Sequence, residues 1–233
     1  MKKEKFASVK KIYSLWAENY DNDRNIPIFL EEKATKSLLK NIKDKKILDL
    51  GCGTGRYAIP LAKKGAKVTA VDFSKEMISI AKKKAKENKL NVTFITENIT
   101  KFVPKLKYDL IISMLVLDYV KNLGKIIDIF NKASKKGTKV VISNLHHFWI
   151  YQARAKYKRE VGYTYKDRNY FSDQYLHFPE EYVDLFYKKG FALVKMKENY
   201  FEEKYQKIKV FKEKAKIFAN KPIGIIMVFE KIR

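Results

Sequence analysis

Gly51, Gly53 and Gly55 follow directly on an aliphatic run in the segment ILDLGCGTGRYAIPLA, residues 47–62. A turn without side chains at those places lets the backbone approach a ligand, and a helix opening behind it near Arg56 turns the loop into a shelf for a nucleotide. Dinucleotide enzymes hold their pyrophosphate with the spacing G-x-G-x-x-G. Here the third glycine comes one residue early, and Arg56 stands where that pattern wants Gly or Ala, which disfavours a pyrophosphate ligand. Asp72 lies roughly 20 residues past the turn, at the tip of the next aliphatic run, where a carboxylate can accept hydrogen bonds from both vicinal hydroxyls of a ribose. Cys52 is the only cysteine, which excludes an intrachain disulfide and a cysteine-rich zinc site. No motif in the chain requires a metal.

The elements that must position these residues are legible as alternation. Apolar residues at helical spacing mark helices over 6–21 (Ile12, Leu15, Trp16) and 28–41 (Phe29, Leu30, Leu38, Leu39), with Pro27 separating them. Short aliphatic runs then predict strands at Lys46–Leu50, Lys67–Val71, Val92–Thr96, Tyr108–Ser113, Lys139–Ser143, Phe191–Glu198 and Gly224–Glu230. Helical stretches fall near 56–64, 75–88 and 124–135, and Ser74 is placed to cap the second of these. Strands alternating with helices imply right-handed crossovers and an α/β fold, a mostly parallel sheet covered on both faces. Two segments break the rhythm: 144–178, rich in aromatic residues among basic ones, and 200–222, rich in lysine.

The glycine segment resembles the first motif of the class I S-adenosylmethionine-dependent methyltransferases, often LDLGCGTG, with a Rossmann-like sheet of seven strands. The resemblance implies that the backbone of Gly51, Cys52, Gly53 and Gly55 packs against the methionine part of S-adenosylmethionine. Through the same turn Asp49 helps hold the amino group. VTAVDFSKEMISIAKKKA, residues 68–85, is similar to the second motif: Asp72 takes the ribose, Phe73 borders the adenine and Met77 packs near the base. NVTFITENIT, residues 91–100, resembles the segment whose Asp binds the adenine amino group. Asn98 stands there instead, its amide oxygen able to accept that bond without the charge, and Ile99 supplies an apolar wall. YDLIISMLVLDYV, residues 108–120, resembles the fourth-strand motif, with Ser113 and Met114 near the transferred methyl group. Many relatives carry His-His or His-Tyr where this chain has Asp118-Tyr119, and a lone carboxylate beyond a strand is more often a helix cap than a base. Upstream, YSLWAENYD, residues 13–21, is similar to the family's N-terminal helix that closes over the cofactor, with Tyr20 and Tyr13 toward its carboxylate or sulfonium.

The resemblance implies one domain over 1–233: cofactor-covering helices in 1–41, a cofactor-binding core in 42–143, and the insertions 144–178 and 200–222 as a cap over the acceptor. Methyl transfer from a sulfonium is an in-line displacement, so alignment and exclusion of water can supply much of the catalysis. If the nucleophile carries a proton, histidine is its natural acceptor. All three histidines, His146, His147 and His177, lie in or beside the aromatic insertion and are the candidate catalytic or positioning residues. The products are then the methylated acceptor and S-adenosylhomocysteine (SAH).

A small-molecule acceptor is the first expectation for this enzyme. Arg154, Lys156, Lys158, Arg159, Lys166 and Arg168, interleaved with aromatic rings, leave RNA or a protein of translation as an alternative, since such a surface can stack bases and grip phosphates. A module that binds the cofactor without turning it over is a third. The chain has 233 residues and a formal net charge of +24, with lysines spread from Lys2 to Lys231. Dispersed charge sets non-specific attraction more than it marks a site, and the dense run Lys82, Lys83, Lys84, Lys86 has the spacing of a solvated helix face. No apolar run approaches the ~20 residues that span a bilayer, and MKKEKFASVKK lacks the core of a signal peptide, so a soluble, cytoplasmic protein without a membrane partner is expected. The acceptor, the attacked atom and the oligomeric state stay open.

Overall fold

The computed structural model describes residues 3–23, 25–149, 161–165, 168–175, 177–208, 211–212 and 217–233. The chain opens with strand β1 (Lys3–Phe6) and helix α1 (Val9–Trp16), whose cap is Ser8, followed by helix α2 (Ile26–Thr35). Pro27 does not separate two helices. It sits in the first turn of α2, where its missing N–H leaves no intrahelical bond unmade, and Asn25 caps the helix from outside.

From Lys46 strands and helices alternate: β2 (Lys46–Leu50), α3 (Ala58–Lys63), β3 (Lys67–Asp72), α4 (Lys75–Glu87), β4 (Val92–Thr96), β5 (Tyr108–Met114), α5 (Leu123–Ala133) and β6 (Ser134–Leu145). A hairpin of β7 (Val161–Tyr165) and β8 (Arg168–Ser172) follows, then α6 (Pro179–Lys188), β9 (Phe191–Tyr200) and β10 (Pro222–Lys231). Helix α4 starts at Ser74, whose Oγ accepts the Met77 N–H at 3.2 Å. Helix α6 has proline in its first turn with Glu180 and Glu181, and Lys188 in its last, a charge order that suits the helix dipole.

The main sheet has seven strands in the order β4-β3-β2-β5-β6-β10-β9. Strands β2 to β6 pair in parallel, while β10 runs antiparallel to both its neighbours. The chain thus grows from β2 outward through β3 to β4, then returns to lay β5 on the other side of β2. The crevice beyond the ends of β2 and β5 is the topological switch point, where open α/β sheets bind ligands.

Alternate side chains of each strand enter opposite cores. Leu48 and Leu50 of β2, Ile111 of β5 and Met227 and Phe229 of β10 pack with α5 and α6. Ile47, Leu110, Ile112, Ile226 and Val228 pack on the other face, with Ala58 and Leu61 of α3 and Ile78 of α4. Phe186 of α6 stacks on Phe229 with ring centroids 3.9 Å apart.

The N-terminal segment is held by late parts of the chain. Strand β1 pairs in parallel with β8, completing a small sheet ordered β1-β8-β7. Ile26 and Leu30 of α2 form a third core with Phe201, Tyr205, Phe211 and Ile223. The basic residues Arg154, Lys156, Lys158, Arg159 and Lys166 lie outside the described residues, and Arg168 is exposed on β8. Among the described residues no helix is long and apolar enough to cross a membrane.

Candidate active site

The glycine turn is shaped by what lies on either side of it. Gly51 has φ +83°, and a Cβ built on it would stand 2.4 Å from Cγ2 of Val116, which follows β5. No other residue fits that contact, so the two loops of the switch point interlock there. Gly53 has φ +53°, and a Cβ there would meet nothing within 4 Å. That open side faces a cavity of about 1220 Å³ which Gly51 and Gly53 both line.

Asp72 ends β3 beside this turn and is 6% exposed. Its Oδ2 accepts the Gly53 N–H and its Oδ1 the Ser74 N–H, both at 2.9 Å. One carboxylate therefore fixes the turn and the start of α4, and each oxygen keeps capacity for a further bond toward the cavity. Burial raises its pKa, against the lowering effect of those backbone donors.

Asp49 lies under the turn, 1% exposed, beneath the start of α3. Burial pushes its carboxyl up to about 7, while Arg56 and the Ala58 N–H pull the other way. Its Oδ2 has no hydrogen-bond partner among the described residues. Burying such an atom unpaired costs on the order of 1–3 kcal/mol.

The N-terminal segment is laced to this shelf. Ser14 of α1 donates to Glu76 of α4 at 2.8 Å. Asp21 accepts from Thr54 Oγ1 at 2.7 Å and pairs with Lys84 at 2.5 Å. Lys84 thus belongs to the site's frame, unlike the solvated run in which its sequence neighbours place it. Glu31 of α2, 2% exposed, accepts from Arg56 and from the Tyr57 hydroxyl, each at 2.6 Å, and from Ser143 of β6 at 3.3 Å. A buried carboxylate is tolerable only when so paired. Its pKa is nevertheless raised, by burial first, with Arg56 opposing.

The cavity brings together much of what the motifs select. Besides Gly51, Gly53 and Asp72 it is lined by Phe73, Asn98, Ile99 and Met114, with Tyr13 and Tyr20 from the N-terminal segment. Asn98 differs from expectation in one respect. Its Oδ1 already accepts both the Thr100 N–H and the Thr100 hydroxyl, each at 2.9 Å, so the side-chain nitrogen is the atom left for a ligand.

Five of the expected cofactor contacts stand off the lining. Asp49 lies beneath the turn. Cys52 is buried with its N–H on the Val71 carbonyl. Gly55 packs against Ile59 and Ala81. Met77 is 1% exposed within α4, and Ser113 donates to the Leu50 carbonyl at 2.9 Å, cross-linking β5 to β2.

None of the three histidines lines the cavity. His146 Nε2 faces Glu198 at 3.0 Å, and its Nδ1 accepts the Phe148 N–H at 3.3 Å. His147 stacks beside His146 and Phe178, and burial lowers its pKa. His177 Nε2 donates to the Val120 carbonyl at 2.8 Å, and its Nδ1 meets Glu181 at 3.1 Å. The ring nitrogens of His146 and His177 are thus engaged within the protein. Asp118 is neither a helix cap nor exposed to the cavity. It is 3% exposed in a tight turn after β5, accepts the Leu145 N–H at 2.9 Å, and is pushed by burial up to about 7.

Tyr119, given no role by sequence reasoning, also lines the cavity, as does Tyr175 of the 144–178 insertion. The Tyr13 hydroxyl donates to the Tyr119 hydroxyl at 3.1 Å, their rings meeting edge to face. The signal for Tyr119 was its place beside Asp118 in the fourth-strand motif.

Comparison with known proteins agrees with this geometry. A ubiquinone biosynthesis O-methyltransferase of Rickettsia akari is 32% identical over 152 residues, 62% of this chain and 60% of the relative. A malonyl-[acyl-carrier protein] O-methyltransferase of Bacillus cereus is 33% identical over 153 residues, 61% of this chain and 54% of the relative. The chain spans about half the length of the curated relatives it matches. Among solved structures, a magnesium protoporphyrin IX methyltransferase of Synechocystis with bound SAH superposes with a TM-score of 0.68 at 17% identity, covering 94% of this chain and 93% of that one, which is a likeness of fold. The methyltransferase domain family matches residues 41–175. With that match spanning more than half its length, the chain belongs to the methyltransferase domain family.

Proposed function

We propose that the protein transfers a methyl group from S-adenosylmethionine to a small-molecule acceptor. The observation that carries the reading is the cavity beyond β2 and β5, whose wall includes Gly53 and Asp72 together with Tyr13, Tyr119 and Tyr175. Its volume, about 1220 Å³, is more than a drug-sized ligand needs and leaves room for a cofactor and an acceptor together. The residues fit the cofactor. The open side of Gly53 admits a ligand against the backbone, and Asp72 retains acceptor capacity for a ribose. The unpaired Oδ2 of Asp49 gives a cationic amino group a reason to settle over the turn. The relatives named for O-methylation and the neighbour solved with SAH support the same reading.

When bound, the cofactor supplies an electrophilic methyl group on a positively charged sulfur. The chain's own task is to hold and align. Asp72 orients the ribose, the Gly51–Gly53 backbone supports the methionine part, and Phe73 and Ile99 border the base. The N-terminal segment, pinned through Asp21 and Glu31, closes the site and keeps Tyr13 and Tyr20 over it, excluding water and fixing the approach. Residues 1–41 and the two insertions serve as the cover over a core of 42–143.

The test is transfer of labelled methyl from S-adenosylmethionine to a small-molecule cell extract and, separately, to total RNA. Label in the small-molecule fraction is expected. Stoichiometric, salt-resistant label at one RNA position refutes the reading, because merely electrostatic RNA binding falls steeply with salt.

A further inference from the structure

Resting on the small-molecule reading, we propose that the acceptor is a carboxylate, taken up already ionised, with one of its oxygens held by the hydroxyl of Tyr119. Among the described residues, the cavity wall carries no histidine. Methylating an alcohol, a phenol or a protonated amine needs a group to take the proton. His146, His147 and His177 are off the cavity wall, and Asp118 is spent on the Leu145 N–H behind it. Among the described residues, two further carboxylates line the cavity apart from Asp72. Glu97 accepts the Asn98 N–H on the side of the expected base. Glu181 is 46% exposed at the rim and faces His177. A solvated carboxylate is mismatched to a phenol by roughly 6 pKa units and is a poor base for one. An amine would arrive as a cation among Lys10, Lys121 and Lys125, which line the same cavity.

What the cavity offers instead is a donor. Tyr13 donates to the Tyr119 oxygen at 3.1 Å. A phenolic oxygen has two lone pairs and one proton. Tyr13 takes one lone pair, and no described residue accepts the Tyr119 proton, so the Tyr119 O–H is the part left to meet an acceptor atom in the cavity. Burial pushes the Tyr119 hydroxyl up to about 12, with Asp118 and Tyr20 adding to the rise and Tyr13 and Gln174 opposing it, so it stays a neutral donor at physiological pH. Burial likewise holds Tyr13 well above the ordinary tyrosine value. A donor hydroxyl in a cavity that Lys10, Lys121 and Lys125 also line suits an oxyanion, and a carboxylate has no proton to lose. One carboxylate oxygen forms the new O–C bond as the C–S bond breaks with its electron pair moving to sulfur. The products are a methyl ester and a neutral thioether, and no proton is released.

The experiment uses the full chain, methyl-labelled S-adenosylmethionine and a small-molecule cell extract as the acceptor source. Mild alkali cleaves methyl esters to volatile methanol and leaves methyl ethers and N-methyl groups intact. Label released as methanol is the expected result. Label stable to alkali overturns the carboxylate assignment while leaving the small-molecule reading standing, and label confined to RNA overturns both. Tyr119→Phe should lower the rate of ester formation about 10- to 100-fold, the loss of one hydrogen bond to a charged group, with SAH affinity within twofold of the parent protein. Ester formation by Tyr119→Phe at the parent rate removes Tyr119 from the assignment. Because the step loses no proton, the parent kcat should be flat from pH 6 to 9; a rising limb overturns the ionised acceptor.

Discussion

Asp72→Asn is the substitution that most directly tests how the shelf is built. The carboxylate accepts the Gly53 and Ser74 N–H groups, one on each oxygen, and both bonds are 2.9 Å. Asparagine is nearly isosteric but keeps one acceptor oxygen, so one of those backbone donors must face an amide NH₂. Leaving a buried donor unsatisfied costs about 1–3 kcal/mol, which sets the expected loss of stability. The same change removes charge and an acceptor from the ribose, worth about 1.5–3 kcal/mol, or roughly 10- to 150-fold in Kd. Calorimetric titration with SAH measures the second effect, and a thermal melt of the unliganded protein measures the first. The pH dependence adds a sign. Burial raises the Asp72 pKa, so lowering the pH neutralises the acceptor sooner than in an ordinary aspartate and weakens SAH binding. The asparagine variant should lack that dependence. A folded variant that binds SAH within twofold of the parent would remove Asp72 from the ribose and refute the reasoning.

Four further outcomes follow from the structure. Gly53→Val should abolish SAH binding in calorimetry while circular dichroism shows the sheet retained, since the branched side chain enters the cavity and φ +53° disfavours it. Asp118→Asn should stabilise the protein at pH 8 by up to about 4 kcal/mol in denaturant titration. Burial raises this group to about 7, so the folded state holds its proton more tightly than the unfolded chain, and the parent protein loses that stability as pH rises from the unfolded value near ~4 through 7. Phe186→Ala, which removes a fully buried ring stacked on Phe229, should cost about 3–5 kcal/mol by the same titration. His147→Ala should leave SAH affinity within twofold, as the ring packs on His146 and Phe178 and not on the cavity.

Local pattern made the sheet legible and long-range pairing hid the rest. Strands β2 to β5 coincide with their aliphatic runs to within a residue, and for the interior strands β2, β3 and β5 this is because strands buried on both faces read as continuous apolar stretches. Strand β6 starts earlier than its run, at Ser134, since Thr138 and Ser134 satisfy their hydroxyls on the Tyr108 and Phe130 carbonyls and allow polar residues into the ladder. Helix α6 carried its own signal, Pro179 followed by Glu180 and Glu181, but lay beyond the segments that the alternation marked. Within the site, Gly53 and Asp72 were readable because their roles depend on backbone geometry close by in sequence. Nothing in the run EEK distinguishes buried Glu31 from half-exposed Glu32, and the difference arises only where Arg56, Tyr57 and Ser143 converge. The histidines drew attention by residue type, and the structure turns the nitrogens of His146 and His177 toward Glu198, Glu181 and a backbone carbonyl.

The pairing of β1 with β8 and the packing of α2 on Phe201, Phe211 and Ile223 have a consequence in time. The first forty or so residues leave the ribosome before any of these partners exists, whereas β2 to β6 can pair with strands already made. The central sheet can therefore assemble during synthesis, and although the N-terminal segment meets Thr54, Arg56, Glu76 and Lys84 early, its docking is completed only with the last third of the chain. Such distant pairing is slow to form. Until it forms, Gly53 and Asp72 face the cell's pool of small molecules under an unfinished cover, so the nascent protein can acquire its first ligand before the cover is complete.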